Sequence, residues 1–85
     1  MGPEVLVMYY VYILKLSNGS LYTGFTSDPV KRIRYHNRGS VPHTSKFLPV
    51  KLIYYAAFTS ERRAFEFEDY LKSGSGKAFR NKRLV

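Results

Sequence analysis

Five side chains in this sequence could share one reaction. Tyr12 and Tyr22 stand ten residues apart around an Asn-Gly turn, Arg32 and His36 stand four apart, and Glu68 follows much later. Phosphodiester hydrolysis asks for such a set: an activated water, a cation where negative charge develops, and help for the leaving oxygen. Arginine clamps a phosphate through its planar fork of donors. One carboxylate can hold one Mg²⁺ that keeps most of its waters. A phenol, with an ordinary pKa of about 10, is a poor base unless a neighbouring cation lowers it.

Each residue also has an ordinary reading. Tyr12 and Tyr22 are two of eight tyrosines and fit a strand as plain aromatics. Arg32 lies in a basic helix, and an isolated His36 fits a surface. Glu68 can pair with Lys72 one helical turn on, worth only about 0.3–0.5 kcal/mol. The ordinary readings must all hold at one particular spacing, which weakens them together. His43 and Asn81 keep the ordinary reading, as do Tyr9, Tyr54, Tyr55 and Tyr70.

The elements that would position the five follow from local pattern. Tyr9–Leu16 and Leu21–Phe25 are rich in β-branched and aromatic residues and flank Asn18-Gly19, a strong hairpin signal. A two-residue Asn-Gly turn pairs Leu16 with Leu21 and puts Tyr12 and Tyr22 on opposite faces. A three-residue Ser17-Asn18-Gly19 loop with a glycine bulge pairs Leu16 with Ser20 and puts both phenols on one face. The local sequence permits both. Asp28-Pro29 opens a helix, as N-cap and first helical residue. That helix runs to about Asn37 or Arg38, with Gly39 as its stop and Val30 and Ile33 as its buried side. Arg32 and His36 share one of its faces.

Ser40–Pro49 reads as a polar loop, and Val50–Phe58 as a third strand, central or well covered. Ser60 caps a second helix through about Lys72. At 100° per residue, Ala64, Phe67 and Leu71 form its apolar arc, and Glu68 falls inside that arc. A carboxylate there is costly unless it is paired or binds a cation. Ser73–Gly76 reads as a flexible break, and Ala78–Leu84 as a short basic terminal helix.

Eighty-five residues suit one domain with a single modest core. We read residues 1–8 as an N-terminal extension and 9–85 as the domain. Met8 could itself open the translated chain. With no cysteine there is no disulfide or thiolate metal site, and two histidines cannot build a structural zinc site. No apolar run approaches the ~18 residues of a membrane span, and the start lacks a signal-peptide pattern, so a cytoplasmic protein is expected. The formal net charge is +8, with six Lys or Arg and no acid between Pro29 and Ser60, and five and no acid from Lys72 onward. Two basic segments on one small fold point to a polyanion, most simply nucleic acid. Lys31, Arg34, Arg38, Lys46, Lys77, Arg80, Lys82 and Arg83 are the candidate phosphate contacts.

Tyr10-Val11-Tyr12 and Tyr22-Thr23-Gly24, with Arg32, His36 and Glu68 at their spacings, resemble the signature of the GIY-YIG nuclease superfamily. The likeness runs through residues 9–72 and is strongest to small single-domain, excinuclease-subunit-like bacterial proteins. The first motif reads Tyr-Val-Tyr in place of Gly-Ile-Tyr. The resemblance implies an α+β fold, a three-stranded antiparallel sheet flanked by helices in β-β-α-β-α order. It implies Mg²⁺-dependent (or Mn²⁺-dependent) cleavage of one DNA strand, in repair or processing. Tyr12 would be the general base or orient the water, and Tyr22 would support it or exchange roles with it. Arg32 would bind the scissile phosphate, His36 would shuttle a proton, and Glu68 would hold the metal. Two other functions fit the basic surface: a catalytically weak nucleic-acid-binding module on the same fold, and a basic protein bound to the ribosome or another partner.

Overall fold

The Asn-Gly turn closes as the bulged form. In the computed structural model, which describes residues 7–85, β1 (Tyr9–Lys15) pairs antiparallel with β2 (Leu21–Thr26). The Leu16 amide donates to the Ser20 carbonyl at 2.9 Å, and Gly19 has φ 85°. Only a residue without Cβ adopts that left-handed backbone cheaply. Asn18 Oδ1 steadies the turn by accepting from the Ser20 amide and hydroxyl at 3.1 and 2.7 Å. Leu14 therefore opposes Tyr22, and Tyr12 opposes Gly24. Both phenols rise from one face of the sheet.

The third strand, β3 (Lys51–Phe58), pairs antiparallel with β1, giving the order β2-β1-β3. The central strand is thus β1, and the expectation that the third strand is central or well covered is wrong. Leu52, Ile53 and Tyr55 of β3 are exposed. An apolar run reports strand propensity and not position in the sheet.

Burial on both faces of β1 organises the rest. Val11 and Ile13 pack on one side against Ala64 and Leu71 of α2 (Glu61–Lys72). Tyr12 and Leu14 pack on the other with Leu16 and Val50, flanked by Ile33 of α1 (Pro29–Asn37). Full burial of one such aliphatic side chain contributes about 1.5–3 kcal/mol, so these few residues hold both layers to the sheet.

Asp28 caps α1 by accepting from the Lys31 amide at 3.1 Å, and Gly39 ends it with φ 77°. The inward face of α1 carries His36, which is fully buried, and half-buried Arg32 and Ile33. Val30, expected to be buried, is 62% exposed. At ~100° per residue it lies well round the helix from the arc centred on His36. Ile33 of the expected apolar pair thus faces the sheet, with His36 and Arg32 in the place expected for Val30.

Ser60 caps α2 as expected. The supposed flexible break is instead a tight joint. Ser73 ends α2 and caps α3 (Gly74–Arg83), accepting from the Gly76 amide at 3.1 Å. A Cβ at Gly76 would run into the backbone of Tyr70 and Leu71. Gly76 therefore permits close helix packing, and the terminal helix begins four residues earlier than its composition suggests. The fold is a three-stranded antiparallel sheet with three helices. The first six residues of the expected N-terminal extension lie outside the described residues. No helix among the described residues is long and apolar enough to cross a membrane.

Candidate active site

The face of the sheet under α1 gathers four of the five candidate side chains. Tyr12, only 1% exposed, reaches over β2 from the central strand. Gly24 makes room for it, since a Cβ there would collide with the Tyr12 ring and hydroxyl. That is the physical reason for glycine in the second motif. Gly24→Ala should either displace Tyr12 or lower stability by about 1–3 kcal/mol, the usual range for overpacking. Chemical denaturation measures the cost, and an unchanged midpoint with an unmoved Tyr12 ring would refute this packing.

The Tyr12 hydroxyl lies 2.9 Å from His36 Nε2. The other imidazole nitrogen, Nδ1, lies 2.8 Å from the Thr44 hydroxyl. Tyr22 packs edge-on to His36 with ring centroids 5.1 Å apart, and 6.4 Å from Tyr12. The Arg32 guanidinium sits beside both phenols and is held protonated, chiefly by the Tyr12 oxygen. Its buried Nε has no hydrogen-bond partner among the described residues. A buried donor without an acceptor is unfavourable by about 1–3 kcal/mol, so one held in a folded site is unusual.

Burial sets the protonation states. It pushes the Tyr12 phenol above its ordinary value, which the adjacent Arg32 only partly offsets. Burial, and then the Arg32 charge, pushes His36 below the ordinary histidine value. At neutral pH the pair is a phenol facing a neutral imidazole.

Glu68 makes no hydrogen bond to these four side chains among the described residues. It projects from α2, its carboxylate 3.1 Å from the Lys72 ammonium, with the glutamate side chain 12% and the lysine 53% exposed. Its charge is felt at Tyr12 and helps to raise the phenol. Among the described residues no group of three or more histidines and carboxylates forms a metal cage. Glu68 nonetheless fits a hard cation that keeps most of its water, because that ion needs one carboxylate. Lys72, being mostly exposed, is a partner that can swing away.

The basic residues divide into two groups. On α1, Lys31 and Arg38 flank the Tyr35 ring at 5.7 and 5.3 Å, with Arg34 exposed on the same helix. Lys46 is exposed in the loop before β3. Lys77 and Arg80 of α3 line a cleft of about 380 Å³ together with Tyr22, Thr23, His43 and Lys72. Lys82 and Arg83 are exposed at the end of α3. His43, read from sequence as ordinary, packs its ring 5.7 Å from Tyr22. Asn81 accepts from Arg80 Nε at 3.0 Å on the exposed surface, away from the cluster's hydrogen bonds. Thr44 is wholly buried against His36, and nothing in its loop sequence signalled it.

The family model of the GIY-YIG catalytic domain matches residues 8–83. The chain belongs to the GIY-YIG family. It is 45% identical over 78 residues to a UPF0213 protein of Clostridium perfringens, covering 91% of this chain and 80% of that one. It is 40% identical over 75 residues to a UPF0213 protein of Streptococcus agalactiae, covering 87% and 85%. The solution NMR structure of a UPF0213 protein from Bacillus halodurans matches with a TM-score of 0.57 at 35% identity, covering 88% of this chain and 83% of that chain. Membership of the GIY-YIG family supports a nuclease-like role directed at nucleic acid. The matched span includes Tyr12 and Tyr22-Thr23-Gly24.

Proposed function

We propose that this GIY-YIG protein is a metal-dependent endonuclease that hydrolyses a phosphodiester bond in one strand of DNA, acting in the cytoplasm in repair or processing. The observation that carries the reading is the charged Arg32 guanidinium held beside the Tyr12–His36 pair. Arginine meets phosphate through paired donors, and a guanidinium fixed beside two phenols is placed to do so.

In this reading a water attacks phosphorus as its proton passes to the Tyr12 oxygen and the phenol proton passes to His36 Nε2. The phenol need never exist as free phenolate, which its raised pKa disfavours. The neutral His36 is ready to accept. Arg32 stabilises charge gathering on the phosphate. The bond from phosphorus to the leaving oxygen breaks, and that oxygen takes a proton from solvent. Tyr22 orients the water or stands in for Tyr12. Mg²⁺ or Mn²⁺ bound to Glu68 would neutralise charge on the phosphate and the leaving oxygen.

The assay is nicking of branched, flapped and plain duplex DNA with Mg²⁺ or Mn²⁺ present. Binding with no cleavage of any substrate would return the second reading, a binding module on the same fold.

Lys31, Arg34, Arg38 and Lys46 would flank the bound DNA on one side, and Lys77, Arg80, Lys82 and Arg83 on the other. Tyr22 supports this path, because it belongs to both the catalytic cluster and the cleft of Lys77 and Arg80. Affinity should fall with salt with a log–log slope of about −0.9 per duplex phosphate neutralised. Replacing Lys77 and Arg80 by alanine should make that slope shallower by about 0.9 for each phosphate no longer neutralised. An unchanged slope would remove α3 from the DNA path.

A further inference from the structure

We infer that Thr44 is the positioning residue that sets the His36 tautomer, so that His36 Nε2 is free to take the Tyr12 proton. This rests on the nuclease reading above for its catalytic consequence, but its structural content stands on the hydrogen bonds alone.

Donors and acceptors must balance along this buried chain. A neutral imidazole has one N–H and one lone pair in the ring plane, and a hydroxyl has one proton to give. The chain runs Tyr12 Oη, His36 Nε2, His36 Nδ1, Thr44 Oγ1 and Val41 O, with separations of 2.9, 2.8 and 3.4 Å between residues. In one direction every proton has an acceptor. Thr44 donates to the Val41 carbonyl, His36 Nδ1–H donates to Thr44, and Tyr12 donates to Nε2. In the other direction Thr44 donates to Nδ1 and Nε2–H donates to Tyr12. The Tyr12 hydroxyl proton is then left without a protein acceptor among the described residues, on a tyrosine that is 1% exposed overall. The Arg32 guanidinium beside that oxygen has only protons to offer. The first direction is therefore the stable one, and it is also the one that lets His36 act as a base.

Thr44 holds this direction because its loop is itself fixed. The Thr44 amide donates to the Val41 carbonyl at 3.1 Å, and the Phe47 amide donates to the Thr44 carbonyl at 3.0 Å. Asn37 Oδ1 accepts from the Val50 amide at 3.0 Å, tying the loop's far end to α1. Val41 and Val50 are buried on either side of Thr44 in sequence. The loop thus anchors a hydroxyl against α1, and α1 presents the imidazole to β1. A histidine's free nitrogen is set by the bond its other nitrogen makes.

The test is ¹⁵N NMR of the His36 imidazole together with single-turnover cleavage, for wild type, Thr44→Val and Thr44→Ser. Wild type should show one tautomer, protonated on Nδ1. Thr44→Val keeps the shape and removes the hydroxyl, so His36 should show mixed or reversed tautomers. Cleavage should then fall about 10–100-fold, the range for removing a partner that orients a functional histidine. The loss should lie in the maximal single-turnover rate with the half-saturating concentration unchanged, and Thr44→Ser should recover both tautomer and rate. Thermal melts separate this from a folding defect, since a structural loss would track the melting temperature in both variants. A wild-type His36 protonated on Nε2 would overturn the inference, as would Thr44→Val with a wild-type tautomer. If wild-type protein cuts nothing, the nuclease reading fails, and the tautomer measurement still decides the role of Thr44.

Discussion

Tyr12→Phe is expected to lower cleavage by about two to four orders of magnitude, the usual contribution of a positioned proton-transfer group, while DNA affinity holds. The substitution removes one oxygen and almost no volume from a ring that is 1% exposed. What disappears is the 2.9 Å hydrogen bond to His36 Nε2 and the neighbour of the Arg32 guanidinium. An imidazole nitrogen left buried without a partner costs about 1–3 kcal/mol, so rates must be normalised to the folded fraction. The pH profile supplies the sign. His36 must be neutral to accept the proton, and burial and then Arg32 lower its pKa. The acid limb of the rate should therefore lie below about 6.5, the ordinary histidine value, with a plateau through neutral pH. Stability runs the same way. The unfolded chain takes up the His36 proton at about pH 6.5 and the folded chain only lower. The His36 contribution to stability is thus flat above 6.5, falls as pH drops from 6.5 to the folded value, and levels below it. A Phe variant that cuts at the wild-type rate, or an acid limb above 6.5, would remove Tyr12 and His36 from the chemistry.

Much of this site was legible because helix and strand periods are short-range facts. Arg32 and His36 share a face by their spacing alone, and Asp28-Pro29 marks where that face begins. The hairpin was legible as a hairpin but not as a register. Choosing between two turns takes the bond from Leu16 to Ser20, and with it the side on which Tyr22 stands. Four features were out of reach for one reason: they depend on packing between elements. Val30 looked like the inner side of α1, yet the helix is turned so that His36 faces the sheet. Gly76 looked like slack, yet it lets α3 close against α2. Thr44 carries no periodicity in an irregular loop, and only the position of His36 gives its hydroxyl a meaning. The apolar run of β3 suggested a covered strand and instead lies at a sheet edge.

Glu68→Gln should nearly abolish metal-dependent cleavage and leave DNA binding equal or tighter. The change keeps the shape of the side chain and removes the charge proposed to hold the ion. It also removes a negative charge whose field reaches Tyr12, so a nearby phosphate would meet less repulsion. The ion pair with Lys72 at 3.1 Å gives the competing account, in which Glu68 is one half of an ordinary surface pair. That account makes a different prediction. A pair one helical turn apart with an exposed lysine contributes about 0.3–0.5 kcal/mol. Its loss would lower the melting temperature slightly and leave any activity proportional to the folded fraction. Lys72→Met separates the two further, because it breaks the same pair while keeping the carboxylate. If Glu68 holds the metal, Lys72→Met should bind Mn²⁺ at least as tightly as wild type, read by paramagnetic broadening near α2, and Glu68→Gln should not broaden at all. If both variants lose equal stability and neither changes the Mn²⁺ effect or the cleavage rate, Glu68 serves the helix and not the reaction.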